Sequence, residues 1–207
     1  MKTIKLSKRI VLTLTLLFNG LIIFAQPSIE WAAPQVGLTT ADASTSFSMY
    51  IDASGNVYTV GRFAGTIDFD PGPGVNNVTS VSGLDVYISK KDALGGLIWV
   101  KSFGTSSVVV NEIAGDDLGN IYLTGGYQNT IDFDPGAGIA NLSSNGGQDI
   151  FVLKLNSLGI YQWAKSVGSS SFDRAKSLYF DEVSSQLLLV GDFSGTVDFD
   201  PSVANYN

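Results

Sequence analysis

Beyond residue 30 the chain alternates short apolar stretches with polar, glycine-bearing gaps, and nowhere does it sustain a 3.6-residue period. That pattern predicts strands and tight turns with almost no helix. Phe47 to Ile51 is a short apolar segment ending in Asp52-Ala53-Ser54-Gly55-Asn56, a polar turn with a glycine free to take positive φ. Val57 to Phe63 reads as the strand that closes this hairpin. Asp85 to Lys91 alternates, with Val86, Ile88 and Lys90 on one face and Tyr87 and Ser89 on the other. Asp92-Ala93-Leu94-Gly95-Gly96 is a second turn, and Leu97 to Phe103 is the returning strand, carrying Trp99. Two hairpins, hence four strands, are predicted before the pattern starts again.

The first 25 residues obey a different rule. Lys2, Lys5, Lys8 and Arg9 form a basic head, and Ile10 to Phe24 is apolar except for Thr, Asn and Gly. Ala25 then offers a small residue ahead of Gln26 and Pro27. This is the layout of a secretory signal peptide over residues 1–25. It predicts a product that is secreted or held at the cell surface, with no membrane span left after cleavage. The alternative is an uncleaved membrane anchor.

Self-similarity is the strongest signal in the remainder. Residues 52–104 set against 116–168, at a constant offset of 64, give 24 identities in 53 positions. Gly55-Asn56-Val57-Tyr58 returns as Gly119-Asn120-Ile121-Tyr122, and Thr66-Ile67-Asp68-Phe69-Asp70-Pro71-Gly72 returns as Thr130-Ile131-Asp132-Phe133-Asp134-Pro135-Gly136. Asp85, Lys90, Gly95 and Trp99 return as Asp149, Lys154, Gly159 and Trp163. A third copy reaches Thr196-Val197-Asp198-Phe199-Asp200-Pro201, and a leading partial unit begins at Trp31. Counted from Trp to Trp, the units span roughly residues 31–98, 99–162 and 163–207, the last one truncated, within a repeat region of 26–207.

Four strands in two hairpins, in tandem, is the plan of a β-propeller blade. Gly-Asn-Val-Tyr, the Asp-Phe-Asp-Pro-Gly run and the spaced set Lys90, Asp92, Gly95 and Trp99 together resemble the bacterial β-propeller repeat family known as SBBP, or seven-bladed propeller repeats. The last set is also similar to the signature of pyrroloquinoline-quinone-type propeller repeats. The resemblance implies an all-β fold of tandem four-stranded antiparallel blades, here incomplete at about two and a half, in a secreted or surface protein. Closed propellers need at least about four blades. The remaining ones are therefore expected from a longer chain, or else from several chains that close a ring together.

Composition narrows the chemistry. Cysteine and histidine are both absent, which excludes thiol nucleophiles, disulfides, Cys/His zinc sites and Ser-His-Asp triads. Cleavage after Ala25 would remove 4 of the 12 basic residues and none of the 19 acidic ones, leaving 8 minus 19, or −11. So acidic a surface repels nucleic-acid phosphates, and no nucleic-acid partner is expected.

The repeated acids are the one metal candidate. In an extended segment Asp68 and Asp70 point the same way, as do Asp132 and Asp134, and Asp198 and Asp200, which would suit oxygen ligation of Ca²⁺. The structural alternative makes the same residues an Asx-type turn with Phe69 as a packing residue. Catalytic and cofactor-binding residues are not assigned, because acids that recur in every unit do not form one asymmetric pocket; a non-catalytic exported scaffold is expected, with part of a propeller hydrolase or lyase as the weaker alternative. Trp31, Trp99 and Trp163 read as inter-sheet packing residues, with sugar stacking as the alternative. Lys90 and Lys154 are expected to form a buried or rim ion pair with Asp85 or Asp149, with a reactive amine as the alternative. The link from Gly65 to Leu84, with its counterpart from Asn129 to Gln148, is read as rim loop for a protein or glycan partner. Within it, Asn77-Val78-Thr79 and Asn141-Leu142-Ser143 are read as loop filler or glycan acceptors.

Overall fold

The structure, a computed structural model, describes residues 36–37, 42–70 and 72–199. The expected leader at 1–25, together with Trp31 and Asp200, lies outside the described residues. Fifteen strands and no helix make up the described chain. A first four-stranded antiparallel sheet contains β2 (Ala43–Ile51), β3 (Val57–Ala64), β6 (Asp85–Lys91) and β7 (Leu97–Phe103), hydrogen-bonded in that order. A second contains β8 (Val108–Gly115), β9 (Ile121–Tyr127), β12 (Asp149–Leu155) and β13 (Tyr161–Val167) in the same order. β14 (Arg174–Asp181) and β15 (Gln186–Asp192) form a further hairpin. None of these sheets closes on itself.

The turns explain why the strands begin and end where they do. Asp52 Oδ1 accepts the amides of Ser54 (3.0 Å) and Asn56 (2.9 Å), and Asp92 Oδ1 accepts those of Leu94 and Gly96 (both 2.8 Å). Asn156 does the same for Leu158 and Ile160 (both 3.0 Å), and Asp116 takes the Asn120 amide at 2.8 Å. A short acceptor side chain at the head of each turn thus satisfies amides that no ladder reaches. In each turn the residue three positions on is a glycine with φ between 71° and 87°, where a Cβ would be strained.

The link between hairpins is more ordered than its polar sequence suggests. β4 (Thr66–Asp68) pairs with β5 (Asn77–Thr79), and β1 (Val36–Gly37) adds to β4. The counterpart is β10 (Thr130–Asp132) with β11 (Asn141–Ser143). The two Asn-x-Ser/Thr triplets, read as loop, are therefore strands. They face partners of matched polarity across the hairpin, Thr66 with Thr79 (2.8 Å) and Thr130 with Ser143 (2.7 Å). β2 also starts four residues before the apolar segment at Phe47, because its polar half still completes the ladder with β3.

Register recurs with the sequence offset. Val57 lies opposite Lys91 and Ile121 opposite Leu155, each 64 residues from its counterpart. β2, β8 and β14 each carry one bulge, at Phe47, Asn111 and Lys176. Opposite it stands a glycine: a Cβ on Gly61 would lie 1.9 Å from the Thr45 carbonyl oxygen, and one on Gly125 1.9 Å from that of Val109.

One face of each sheet packs on the opposite face of the next. Tyr58, Val60, Ile88 and Phe103 of the first sheet share a core with Val110, Ile113, Leu123, Phe151 and Leu153 of the second. The other face of the second sheet meets the third hairpin, where Tyr122 stacks on Phe180 with centroids 5.1 Å apart. β9 is buried at every residue, as is β6. The alternation read in Asp85–Lys91 is real in direction, but both faces are covered. Sheets change between Phe103 and Val108, so a Trp-to-Trp count cuts each sheet along its last strand.

Gly125→Ala is expected to cost about 3 kcal/mol, because backbone must move to admit the methyl group. Leu118→Ala, at a turn tip that is 86% exposed, should change stability by about 0.5 kcal/mol or less. Urea denaturation of the two variants beside the unaltered chain measures both.

Candidate functional site

The Asp-Phe-Asp-Pro-Gly loops are built by their own carboxylates. Asp68 Oδ1 accepts the amides of Asp70 (3.0 Å) and Asn76 (2.9 Å), which ties the two ends of the loop together. Asp132 repeats this with Asp134 (3.0 Å) and Ala140 (2.8 Å). Asp70 Oδ1 takes the Gly72 amide at 2.8 Å, and Asp134 takes that of Gly136 at 2.7 Å. The other carboxylate oxygen of each second acid sits where a Cβ on Gly74 or Gly138 would approach to 2.2 Å. Phe69 and Phe133 anchor the loops from below. Phe69 meets Phe63 and Tyr87 edge-on or tilted, at 5.5 and 5.0 Å, while Phe133 also touches Phe103 of the first sheet at 5.7 Å. Val75 and Ile139, at the tips, are left 72% and 79% exposed.

The third copy keeps less of this arrangement. Val197 is buried, but Phe199 is half exposed and meets Phe193 at 4.9 Å. Among the described residues no group of three or more Asp, Glu, His or Cys is arranged to hold a metal ion. The oxygens that the sequence offered as calcium ligands accept loop amides at Asp68, Asp70, Asp132 and Asp134.

A second constellation lies at the opposite end of the strands, and the sequence reading missed it. A cleft of about 260 Å³ between the first two sheets is lined by Tyr50, Asp52, Tyr58, Lys90, Asp116 and Ser157, among others. The Lys90 ammonium stands 4.8 Å above the Tyr58 ring and 3.9 Å from Asp52, while the Tyr58 hydroxyl donates to Asp52 at 3.3 Å. Lys154 stands 5.0 Å above Tyr122, whose hydroxyl donates to Asp116 at 2.9 Å. The expected pairing of Lys90 with Asp85 is therefore wrong in its partner. Five residues apart on one strand, the two point to opposite faces and sit about 16 Å from each other. Register places Tyr58 beside Lys90 instead, and brings the turn acid Asp52 within reach. The recurrence of Tyr two residues after Gly-Asn was the available signal.

Trp99 closes the same seam. Its indole N–H donates to the Ser157 carbonyl at 3.2 Å, and its ring lies against Gly159 in the turn of the next sheet. Both described tryptophans also meet a tyrosine, Trp99 with Tyr58 at 6.0 Å and Trp163 with Tyr122 at 6.2 Å. The packing reading of these side chains fits that geometry. Asp85 and Asp149, freed of the lysines, take the amide four residues before each: Val81 at 2.7 Å and Asn145 at 3.0 Å. Asp173 does likewise with Ser169 at 2.6 Å.

No protein-family model matches the chain, and no curated protein matches it either. Its chemistry is therefore read from the site alone.

The carboxylates divide by environment. Burial pushes against the charge on Asp116, but the Asn120 side chain, the Tyr122 hydroxyl, the Asn120 amide and Lys154 outweigh it and hold the carboxyl below its ordinary value. Asp52 is held low in the same way by Asn56, Ser54 and Lys90 against burial. For Asp149, burial dominates and the nearby Asp173 adds to it, so its carboxyl is raised despite the Asn145 amide. The low pair stabilise the fold above the ordinary value of 3.8 and lose that contribution as pH falls through their lowered values. Asp149 does the reverse: its contribution is full below 3.8 and is lost as pH rises through its raised value.

Asp116→Asn is expected to cost about 1–3 kcal/mol near neutral pH and to flatten the acid side of the stability profile. Asp149→Asn should instead remove the decline that sets in above pH 3.8. Unfolding free energies measured by urea from pH 2 upward distinguish the two. An Asp116→Asn profile parallel to that of the unaltered chain would contradict the assignment.

Proposed function

We propose that this chain is a non-catalytic β-propeller-type scaffold whose stacked sheets are blades, exported by its N-terminal segment and presenting repeated loops to a protein or surface glycan. One observation carries the reading. Two loops, 64 residues apart, are each stiffened by an internal carboxylate and anchored by a buried phenylalanine, yet each leaves an apolar tip residue, Val75 or Ile139, in solvent. Ordering a loop while exposing its apolar tip suits recognition, because the entropy of fixing the loop is lost before the partner arrives. The loops lie at the same end of the strands as the connection from β7 to β8, the rim where such folds commonly bind. The resemblance to SBBP repeats is consistent with this role, and further blades are expected from a longer chain.

The second reading is a calcium-dependent adhesion module built on the same loops. It is favoured by two acids per loop, and disfavoured by the amides already bonded to them.

An array of bacterial surface polysaccharides, probed with the chain and with a Val75→Ser, Ile139→Ser double variant, tests the first reading. The expected result is a glycan class retained by the chain and lost by the variant, with equal melting temperatures. Binding that survives the double substitution, or turnover of any glycan, would overturn it. Melting with and without millimolar calcium separates the second reading: a rise that Asp132→Asn abolishes would favour it.

A further inference from the structure

The cleft between the first two sheets holds a charge that the fold itself leaves half served. Lys90 is nine-tenths buried there, and among the described residues its ammonium donates no hydrogen bond. Asp52 stands 3.9 Å away, beyond hydrogen-bond distance, and already accepts from Ser54, Asn56 and Tyr58. An ammonium carries three donors and no acceptor, so this one is left for oxygen atoms that enter the cleft. At the mouth, Asp117 is exposed, and among the described residues its carboxylate accepts no hydrogen bond; only its amide is used, donating to Glu182 at 2.8 Å.

The lining is particular to this seam. Tyr50 lies over Gly115 of the second sheet, so closely that a Cβ there would be 2.2 Å from its ring. At the next seam, register puts Ala114 in the place of Tyr50 and Phe180 in that of Gly115, and Phe180 stacks on the Tyr122 ring with centroids 5.1 Å apart. The pairing of an open lysine with a half-buried tyrosine wall is therefore not copied there.

Charge decides what such a lining accepts. Asp52, Asp116 and Asp117 against Lys90 leave 3 minus 1, or two, negative charges, which repel a phosphate or carboxylate. A simple cation answers the acids but is repelled by Lys90 and leaves its donors unmet. A hydroxyl group serves both, accepting from the ammonium and donating to a carboxylate. Several hydroxyls on a compact frame, with an apolar C–H face to lie against Tyr50, describe a sugar ring. The cleft, about 260 Å³, is smaller than the roughly 300–1,000 Å³ of sites for drug-sized ligands, which suits one ring.

We propose that this cleft binds one neutral sugar residue, with Lys90 donating to one ligand hydroxyl, Asp117 accepting from another, and Tyr50 packing on the C–H face. The site lies at the opposite end of the strands from Val75 and Ile139 and does not rest on the loop reading.

Glucose, galactose and mannose, each beside its uronic acid, are titrated into the full-length chain and followed by saturation-transfer difference NMR. At least one neutral sugar is expected to saturate at millimolar concentration, with its uronic acid bound about tenfold more weakly. Asp117→Ala, which removes an exposed side chain that bonds nothing in the fold, should weaken that sugar about tenfold, the worth of one charge-assisted hydrogen bond. Lys90→Met keeps an apolar stem over Tyr58 without the donors and should abolish saturation, while far-ultraviolet circular dichroism reports whether each variant is folded. No saturation by any of the three sugars, equal binding of the uronic acid, or binding unchanged in folded Asp117→Ala would each overturn the site. On the polysaccharide array, the Lys90→Met chain reads the loops alone, so failure of either proposal is seen separately.

Discussion

A sheet with apolar side chains on both faces requires a neighbour on each side, and this requirement organises the chain. The second sheet meets it fully: Leu123 and Phe151 face the first sheet, and Tyr122 faces the third hairpin. Burying one such side chain stabilises by about 1.5–3 kcal/mol, so a face of several outweighs any single polar contact in the structure. Every other feature serves to keep successive faces in matching register. The bulge at Phe47, Asn111 and Lys176 shifts the strand by one residue and tightens its twist, and the glycine opposite gives the shifted carbonyl room.

Register is held at the strand ends by carboxylates rather than by disulfides, which the composition forbids. Asp52, Asp92 and Asp116 close the hairpin turns, Asp68 and Asp132 close the small hairpins, and Asp85, Asp149 and Asp173 hold the segments that lead into strands. Hydrogen bonds to a charged acceptor are about twice as strong as neutral ones, which suits turns half open to water. This use accounts for much of an acidic composition that would otherwise look like a binding surface. The lysines at 90 and 154 complete the arrangement by placing their charge over tyrosine rings, where the neighbouring turn acids are close.

Much of the strand content was legible in the sequence because the longer strands are mostly apolar or alternating and the turns at Asp52, Asp92, Asp116 and Asn156 begin with Asp or Asn and contain Gly. Asp85–Lys91 and Leu97–Phe103 match the structure residue for residue. What escaped was everything set by partners distant in sequence. Thr66–Asp68 is only three residues long and polar at both ends, so no period marks it as a strand until Asn77–Thr79 pairs with it. Lys90 shows no sign in sequence that Asp52, 38 positions earlier, and not Asp85, five positions earlier, is its partner; only the pairing of β3 with β6 decides this. Of the loop acids, the sequence established the identity and spacing but not which atoms their oxygens would meet.

Repetition also bears on how such loops recognise anything. A partner that fits around Val75 meets the same anchored backbone around Ile139, since Asp68 and Asp132, Phe69 and Phe133, and the flanking strands repeat. Under the proposed function, a polymer with its own repeating unit, as a surface glycan has, would engage the second loop intramolecularly once the first is bound, so that modest contacts at each add through effective concentration. A compact ligand gains nothing from the second copy. If the loops bind as proposed, repetition helps extended partners more than small molecules, and the third copy, with Phe199 half exposed instead of buried, marks where the equivalence weakens.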